Sequence, residues 1–155
     1  MLFRSKNLIA TNSKAFRDYS ILDSLEAGIE LKGSEVKSVR DKKVSLNDSF
    51  ARIEKDVIIL YNCHISSYEK KDGFDKTEPT RPRRLLLHKS EIDKLSGKVN
   101  QRGFSLVPLK MYFNQRGFAK IELALAKGKK IFDKRQDIKE RQLNRELKRA
   151  VRRKT

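Results

Sequence analysis

At 155 residues, with 37 Lys+Arg against 20 Asp+Glu and a formal net charge of +17, the chain is sized for one domain plus an appendage and calls for an anionic partner. Its one cysteine, Cys63, excludes an intramolecular disulfide and fits a reducing compartment. No apolar run approaches the ~20 residues that span a bilayer, and the opening MLFRSKNLIATNSK lacks a signal peptide's apolar stretch, so a cytoplasmic protein without a membrane partner is expected.

In chain order, Asn12, Lys14, Phe16, Arg17 and Tyr19 first group an amide, cations and rings. That mixture suits RNA, where bases stack on rings or guanidinium planes and cations hold phosphate, although Phe16 and Tyr19 suit a core equally well. Tyr19 to Leu31 reads as strand, turn, strand, with Glu26-Ala27-Gly28 at the turn. Ser34 is then placed to cap a short helix from Glu35 to about Lys42, with Val36 and Val39 facing the core. Ser49 to Ile53 and Val57 to Asn62 flank Glu54-Lys55-Asp56 as a hairpin. Ile65 to Arg84 is polar, carries Pro79 and Pro82, and reads as a long mobile loop. Within it Arg81, Arg83 and Arg84 form a basic cluster, with solvated loop charge and RNA contact equally open.

Leu85-Leu86-Leu87 is a buried strand or a helix approach. Ile92, Leu95 and Val99 give Ser90 to Asn100 a helical stripe that Gly103 ends. Phe104 to Leu109, Met111 to Phe113 and Phe118 to Ala126 are predicted strands, the last two joined through Asn114-Gln115-Arg116-Gly117. About six short strands with two helices fit a small closed barrel. The last 29 residues, Lys127 to Thr155, hold 13 Lys+Arg against 4 Asp+Glu, a net of +9 that leaves +8 for the rest. Such charge stays solvated or meets dense negative charge, most commonly a phosphate backbone. The tail's stripe of Leu143, Leu147, Ala150 and Val151 offers little to pack, which predicts disorder until it binds.

Catalytic or metal chemistry finds little support. Cys63, His64 and His88 are an incomplete ligand set, and Glu26, Glu35 and Glu91 are scattered. Lys127-Gly128-Lys129-Lys130 lacks the upstream glycine of a phosphate-binding loop; it reads as a turn that exposes clustered ammonium groups.

Taken together, Asn12–Ala15, Asp18-Tyr19, Glu26–Gly28, the LKGSEVKSVR run from Leu31 to Arg40, Asp48-Ser49, Arg84–His88, Leu106–Leu109 and Gly128–Arg135 resemble the small protein B family, the bacterial SsrA-binding proteins. The resemblance runs in order from about Leu8 to Arg141. It implies an oligonucleotide-binding (OB)-type closed antiparallel barrel with two or three flanking helices over residues 1–132, and a basic tail over 133–155 that is disordered or helical. It also implies a non-enzymatic protein, without metal or cofactor, that binds the tRNA-like part of transfer-messenger RNA. That protein carries the RNA to stalled ribosomes, where its tail enters the empty mRNA channel near the small-subunit decoding centre and becomes helical.

Carried onto this chain, the RNA-facing residues are Asn12, Lys14, Glu26, Glu35, Val36, Lys37, Arg40, Leu86, Lys120, Lys127, Gly128, Lys129 and Lys130, with Arg17, Tyr19 and Arg84 joining them from the clusters above. The ribosome-facing residues are Phe132, Asp133, Lys134 and Arg135, followed by the tail cations Lys139, Arg141, Arg145, Lys148, Arg149, Arg152 and Arg153. The chain departs from the family pattern at Arg17, where relatives often carry His or an aromatic; a guanidinium plane still stacks. It departs again at Phe132, where relatives often carry His or Tyr; Phe stacks without a polar tip. A monomer is expected, since no large apolar face is left over. On charge and strand count alone, another OB-type ribosomal or translation-factor RNA-binding protein is the alternative.

Overall fold

The computed structural model describes residues 7–67, 77–100, 103–129 and 131–153. The chain is mainly β, with several helices. Its strands are β1 Asn7–Thr11, β2 Tyr19–Ile29, β3 Val44–Ser45, β4 Phe50–Glu54, β5 Val57–Tyr61, β6 His64–Ile65, β7 Arg83–Leu86, β8 Phe104–Phe113 and β9 Ala119–Gly128. Its helices are α1 Ser13–Asp18, α2 Gly33–Arg40, α3 Lys89–Val99 and α4 Ile131–Arg153. The main sheet runs β1-β8-β4-β5-β7-β2-β9, and β8 pairs with β9 as well; β3 and β6 form a separate short ladder. Every pairing among the described residues is antiparallel.

Three long strands carry the architecture. Strand β2 is continuous through Glu26-Ala27-Gly28, which overturns the turn expected there. The reason is non-local: β9 offers a ladder from Gly128 back to Lys120, and those three residues pair with Glu122, Ile121 and Lys120. Strand β8 is also one strand where two were expected, with its register shifting between Pro108 and Lys110. Proline has no N–H for the ladder and is tolerated at such a bulge. Strand β1 and helix α1 were not anticipated; β1 pairs with Lys110–Phe113, and β4 meets the same strand at Leu106.

Leu46, Ile58, Leu60, Leu85, Met111 and Leu123 lie in one fully buried core. A smaller cluster of Ala15, Val107, Leu109, Ala124 and Ala126 seats α1 against β8 and β9, with Phe16 and Tyr19 packed on it. Local signals served well elsewhere. Ile92 and Leu95 bury the face of α3 as their spacing predicts. Asn114 closes the β8–β9 turn by accepting from Arg116 N–H at 3.0 Å and Phe118 N–H at 2.9 Å. Helix α2 begins two residues earlier than expected because Glu35 accepts the Lys32 N–H at 2.9 Å, so Lys32 rather than Ser34 takes the cap position.

The β4–β5 hairpin forms where expected, through Lys55 at φ 47° and Asp56 at φ 64°. Two left-handed central residues match the twist of a two-residue hairpin, but Lys fits that region poorly. Replacing Lys55-Asp56 by Asn-Gly is expected to raise the melting temperature by about 2–4 °C, the shift corresponding to about 1 kcal/mol in a domain of this size. Thermal unfolding followed by circular dichroism checks it.

Candidate nucleic-acid interface

The ladder partners of β2 build a groove of about 410 Å³. Gly28 sits opposite Lys120 on β9 and Leu86 on β7, and α2 contributes Val36 and Arg40 from one helix face. A Cβ at Gly28 would meet the Leu86 Cβ at 3.1 Å, so glycine lets Leu86 lie across the strand. Leu86 is 50 % exposed and Phe118, at the β8–β9 hairpin end of the groove, is 62 % exposed. An apolar floor rimmed by a guanidinium and an ammonium group suits unpaired bases with their phosphates. Four candidate residues far apart in sequence, Val36, Arg40, Leu86 and Lys120, thus converge here. Phe118 was missed as a site residue because it was counted as strand, yet its place beside a turn signal already marked it as exposed.

Other candidates lie around this groove. Glu26 is two residues along β2 from Gly28, faces solvent opposite Glu122, and accepts a hydrogen bond from the Tyr112 hydroxyl. Burial, then that carboxylate, pushes the Tyr112 phenol well above its usual range. Arg84 lies two residues before Leu86 on β7, exposed, and Lys37 is exposed on α2.

Asn12, Lys14 and Tyr19 belong to a different cleft of about 810 Å³ between α1, β4, the end of α3 and the start of β8. Asn12 is buried and its side chain is already used: Oδ1 accepts the Ala15 N–H at 3.1 Å and Nδ2 donates to the Pro108 carbonyl at 2.9 Å. It caps α1 and ties it to β8. Lys14 pairs with Asp48, which raises its pKa, and Arg17 pairs with Asp18 at 3.3 Å. Lys127 and Gly128 are exposed at the end of β9, where Gly128 faces Tyr19. The Lys129 N–H donates to the Asp18 carbonyl at 2.9 Å and its ammonium pairs with Asp137.

Glu35 is 3 % exposed and lies inside an ion cluster rather than on the surface. Arg81 Nε donates to both its oxygens at 3.1 Å, and Arg83 Nε donates to Oε2 at 2.7 Å. Arg83, 1 % exposed, also donates to the Cys63 carbonyl at 2.6 Å and the Pro79 carbonyl at 2.9 Å. Arg83 is therefore neither solvated loop charge nor an RNA contact. The polar run after Ile65 is pinned by it at both ends; residues 68–76 within that run lie outside the described residues. Cys63 is fully buried, and burial pushes its thiol up to about 11, which leaves no thiolate for chemistry. Among the described residues no group of His, Cys, Asp and Glu could hold a metal, and no helix is long and apolar enough to cross a membrane.

The tail is one 23-residue helix, where disorder was expected before binding. Its composition explains this: no Gly or Pro follows Gly128, helix formers dominate, and acids precede bases at Asp137/Arg141 and Glu146/Arg149. Arg135, Lys139, Arg141, Arg145, Lys148, Arg149 and Arg152 are all exposed, and Arg141 reaches the Phe16 carbonyl at 3.5 Å. Lys130 lies outside the described residues, as do the side chains of Phe132, Asp133, Lys134 and Arg153.

Comparison with known proteins gives one consistent match. A family model described as SmpB protein fits residues 9–153. An SsrA-binding protein of Caldanaerobacter subterraneus subsp. tengcongensis is 60% identical over 140 residues, covering 90% of this chain and 87% of that protein. An SsrA-binding protein of Symbiobacterium thermophilum is 55% identical over 144 residues, covering 93% of this chain and 90% of its own. A solved structure described as "tmRNA-SmpB: a journey to the center of the bacterial ribosome" is 53% identical with a TM-score of 0.66, covering 78% of this chain and 84% of that one.

The Glu35 cluster generates a pH dependence. Burial raises the carboxyl pKa, and the hydrogen bonds from Arg81, the Lys32 N–H and Arg83 outweigh it, leaving the group below its usual 4.5. A carboxyl with a depressed folded pKa contributes stability that is complete above its unfolded value and lost as pH falls through the folded one. Glu35→Ala is expected to cost about 3–5 kcal/mol at neutral pH, because Arg83 stays buried without its counter-charge. For Glu35→Gln, the gap to the parent protein should narrow as pH drops below about 4.5. Urea unfolding across pH 3 to 7 measures both, and a gap independent of pH would contradict the ionised cluster.

Proposed function

Since the chain belongs to the SmpB protein family, we propose that it binds transfer-messenger RNA and delivers it to stalled ribosomes for trans-translation. The role is one of binding, without a catalysed reaction. The observation that carries the reading is the convergence of Val36, Arg40, Leu86 and Lys120 on one groove with an apolar floor and a cationic rim. That groove grips the tRNA-like part of the RNA, with Phe118 at its open end and Lys37 and Arg84 nearby. Lys14, Arg17, Tyr19 and Lys127 form a second contact edge, while Asn12 and Glu35 position their neighbours rather than touch RNA.

The body is an OB-type barrel closed by six strands, β8-β4-β5-β7-β2-β9; the additional β8–β9 pairing supports closure. The body–tail division at 132/133 falls two residues inside α4, which starts at Ile131 after β9 ends at Gly128. The tail, a rod with most of its cations gathered on one side and Leu143, Leu147, Ala150 and Val151 on the other, enters the empty mRNA channel toward the decoding centre, with Lys130, Phe132, Asp133, Lys134, Arg135 and Arg153 among its contacts. Lys129 keeps its RNA role if Asp137 releases it.

Two measurements test this. Arg40→Ala and Lys120→Ala should each weaken transfer-messenger RNA binding about tenfold and flatten the slope of log K against log salt by about one, with unchanged melting. Leu86→Ala should weaken binding without changing that slope; equal slopes for all three variants would sink the assignment of roles. Separately, a chain lacking 130–155 should keep most of its RNA affinity and lose ribosome rescue in a translation assay on messages without a stop codon. Normal rescue by that chain would refute the division of labour.

A further inference from the structure

The second cleft holds one cation, Arg52, that makes no ion pair among the described residues. Lys14 is paired with Asp48, Arg17 with Asp18, and Glu54 accepts the Tyr61 hydroxyl. Arg52, exposed on the outward side of β4, has no ion pair among the described residues. Its guanidinium carbon instead lies 5.2 Å from the Phe50 ring centroid and 5.9 Å from that of Tyr61. Phe50 and Tyr61 are cross-strand partners, stacked at 5.5 Å with 21° between their planes. The guanidinium carbon thus lies within cation–π range of both rings.

A guanidinium group is planar and weakly hydrated, so one of its faces can lie on a ring while the other takes a second π-system. Nucleobases present such a face, and unpaired RNA bases stack on Arg planes as they do on rings. The cleft has about 810 Å³, within the ~300–1,000 Å³ of pockets that enclose a small ligand. Ser96, Asn100 and Ser105 line it and offer hydrogen-bonding groups to a base edge. A helical phosphate array would need a row of free cations; this cleft supplies a single unpaired one, and Asp18, Asp48 and Glu54 also line it. That favours a single splayed-out nucleotide over a duplex.

We propose that Arg52, set on the Phe50–Tyr61 pair, is a stacking platform for an unpaired RNA base, on a face separate from the Arg40–Lys120 groove. The two sites share no lining residue. Along β8 they are six residues apart, from Val107 to Phe113, or about 20 Å at ~3.3 Å per residue. The folded body therefore holds two RNA-contacting faces independently of its tail.

The test uses the full chain and a short single-stranded RNA carrying a fluorescent adenine analogue whose emission falls on stacking. It is titrated with the groove empty, and again with the groove saturated by the tRNA-like domain of transfer-messenger RNA. Binding and quenching should persist in the saturated complex. Arg52→Ala should weaken oligonucleotide binding about tenfold and remove the quenching. Arg52→Lys, which keeps the charge and guards against a folding artefact, should retain part of the affinity but not the quenching. Unchanged quenching in Arg52→Ala, or complete displacement of the oligonucleotide by the tRNA-like RNA, overturns the proposal. If the tRNA-like RNA does not bind at all, the groove assignment fails, and the titration without it still decides the case of Arg52.

Discussion

The arrangement of the body depends on one buried carboxylate. Glu35 receives donors from three places: the Lys32 N–H at the start of α2, Arg81, and Arg83 at the start of β7. Arg83 extends the cluster to the Cys63 carbonyl just before β6 and the Pro79 carbonyl near the end of the polar run between β6 and β7. That run offers few apolar side chains after Ile65, so burial alone cannot anchor it. Taking two guanidinium groups and a carboxylate out of water costs several kcal/mol per ion, which the cluster offsets by satisfying the carboxylate from three directions. What it secures is geometry. Val36 and Arg40 ride on α2, Leu86 rides on β7, and the groove exists only while those two elements keep their relative position.

This explains which parts were legible in the sequence. Features fixed by neighbours a few residues apart were readable: the β4–β5 hairpin, the Ile92–Leu95 face of α3, the Asn114 turn. Features decided across the chain were not. Glu26-Ala27-Gly28 has turn-like composition, but β9 supplies a partner for each residue about 95 positions later. Arg81, Arg83 and Arg84 look alike in sequence, yet they end in three environments. Arg81 is partly buried on Glu35, Arg83 is wholly buried, and Arg84 is exposed on the outward face of β7. No local pattern separates them, because the strand's alternation decides which way each points and Glu35 decides which can be buried. The residues of the groove were recognisable by family resemblance, whereas their convergence required the register that sets Gly28 against Leu86 and Lys120.

The charge distribution takes on a clearer meaning once the pairs are known. The body carries +8; Asp18, Glu35 and Asp48 are each matched to a cation there, as Asp137 is in the tail, so those particular cations are already engaged. The cations outside those pairs include Arg40 and Lys120 at the groove, Arg52 across the body, and those of the tail. A diffuse positive surface would bind any nucleic acid by counterion release. Isolated cations beside apolar or aromatic surface add a requirement for splayed bases, and that shifts preference toward folded RNA with unpaired nucleotides.

The helical tail changes the physical basis of any preference for an empty mRNA channel. A disordered tail would have to become ordered on entry, and that cost would weaken binding wherever contacts were incomplete. Helix α4 spans 23 residues, about 35 Å at ~1.5 Å per residue, and its apolar side chains Ile138, Leu143, Leu147 and Val151 are exposed. A rod already formed loses little further entropy on entering a channel. Discrimination then falls to volume: a helix about 10 Å across cannot share a channel already holding message. In that mechanism the Lys129–Asp137 pair and the Arg141 contact with the Phe16 carbonyl hold the rod beside α1. Their strength, rather than the tail's helix propensity, sets how readily it swings toward a vacant site.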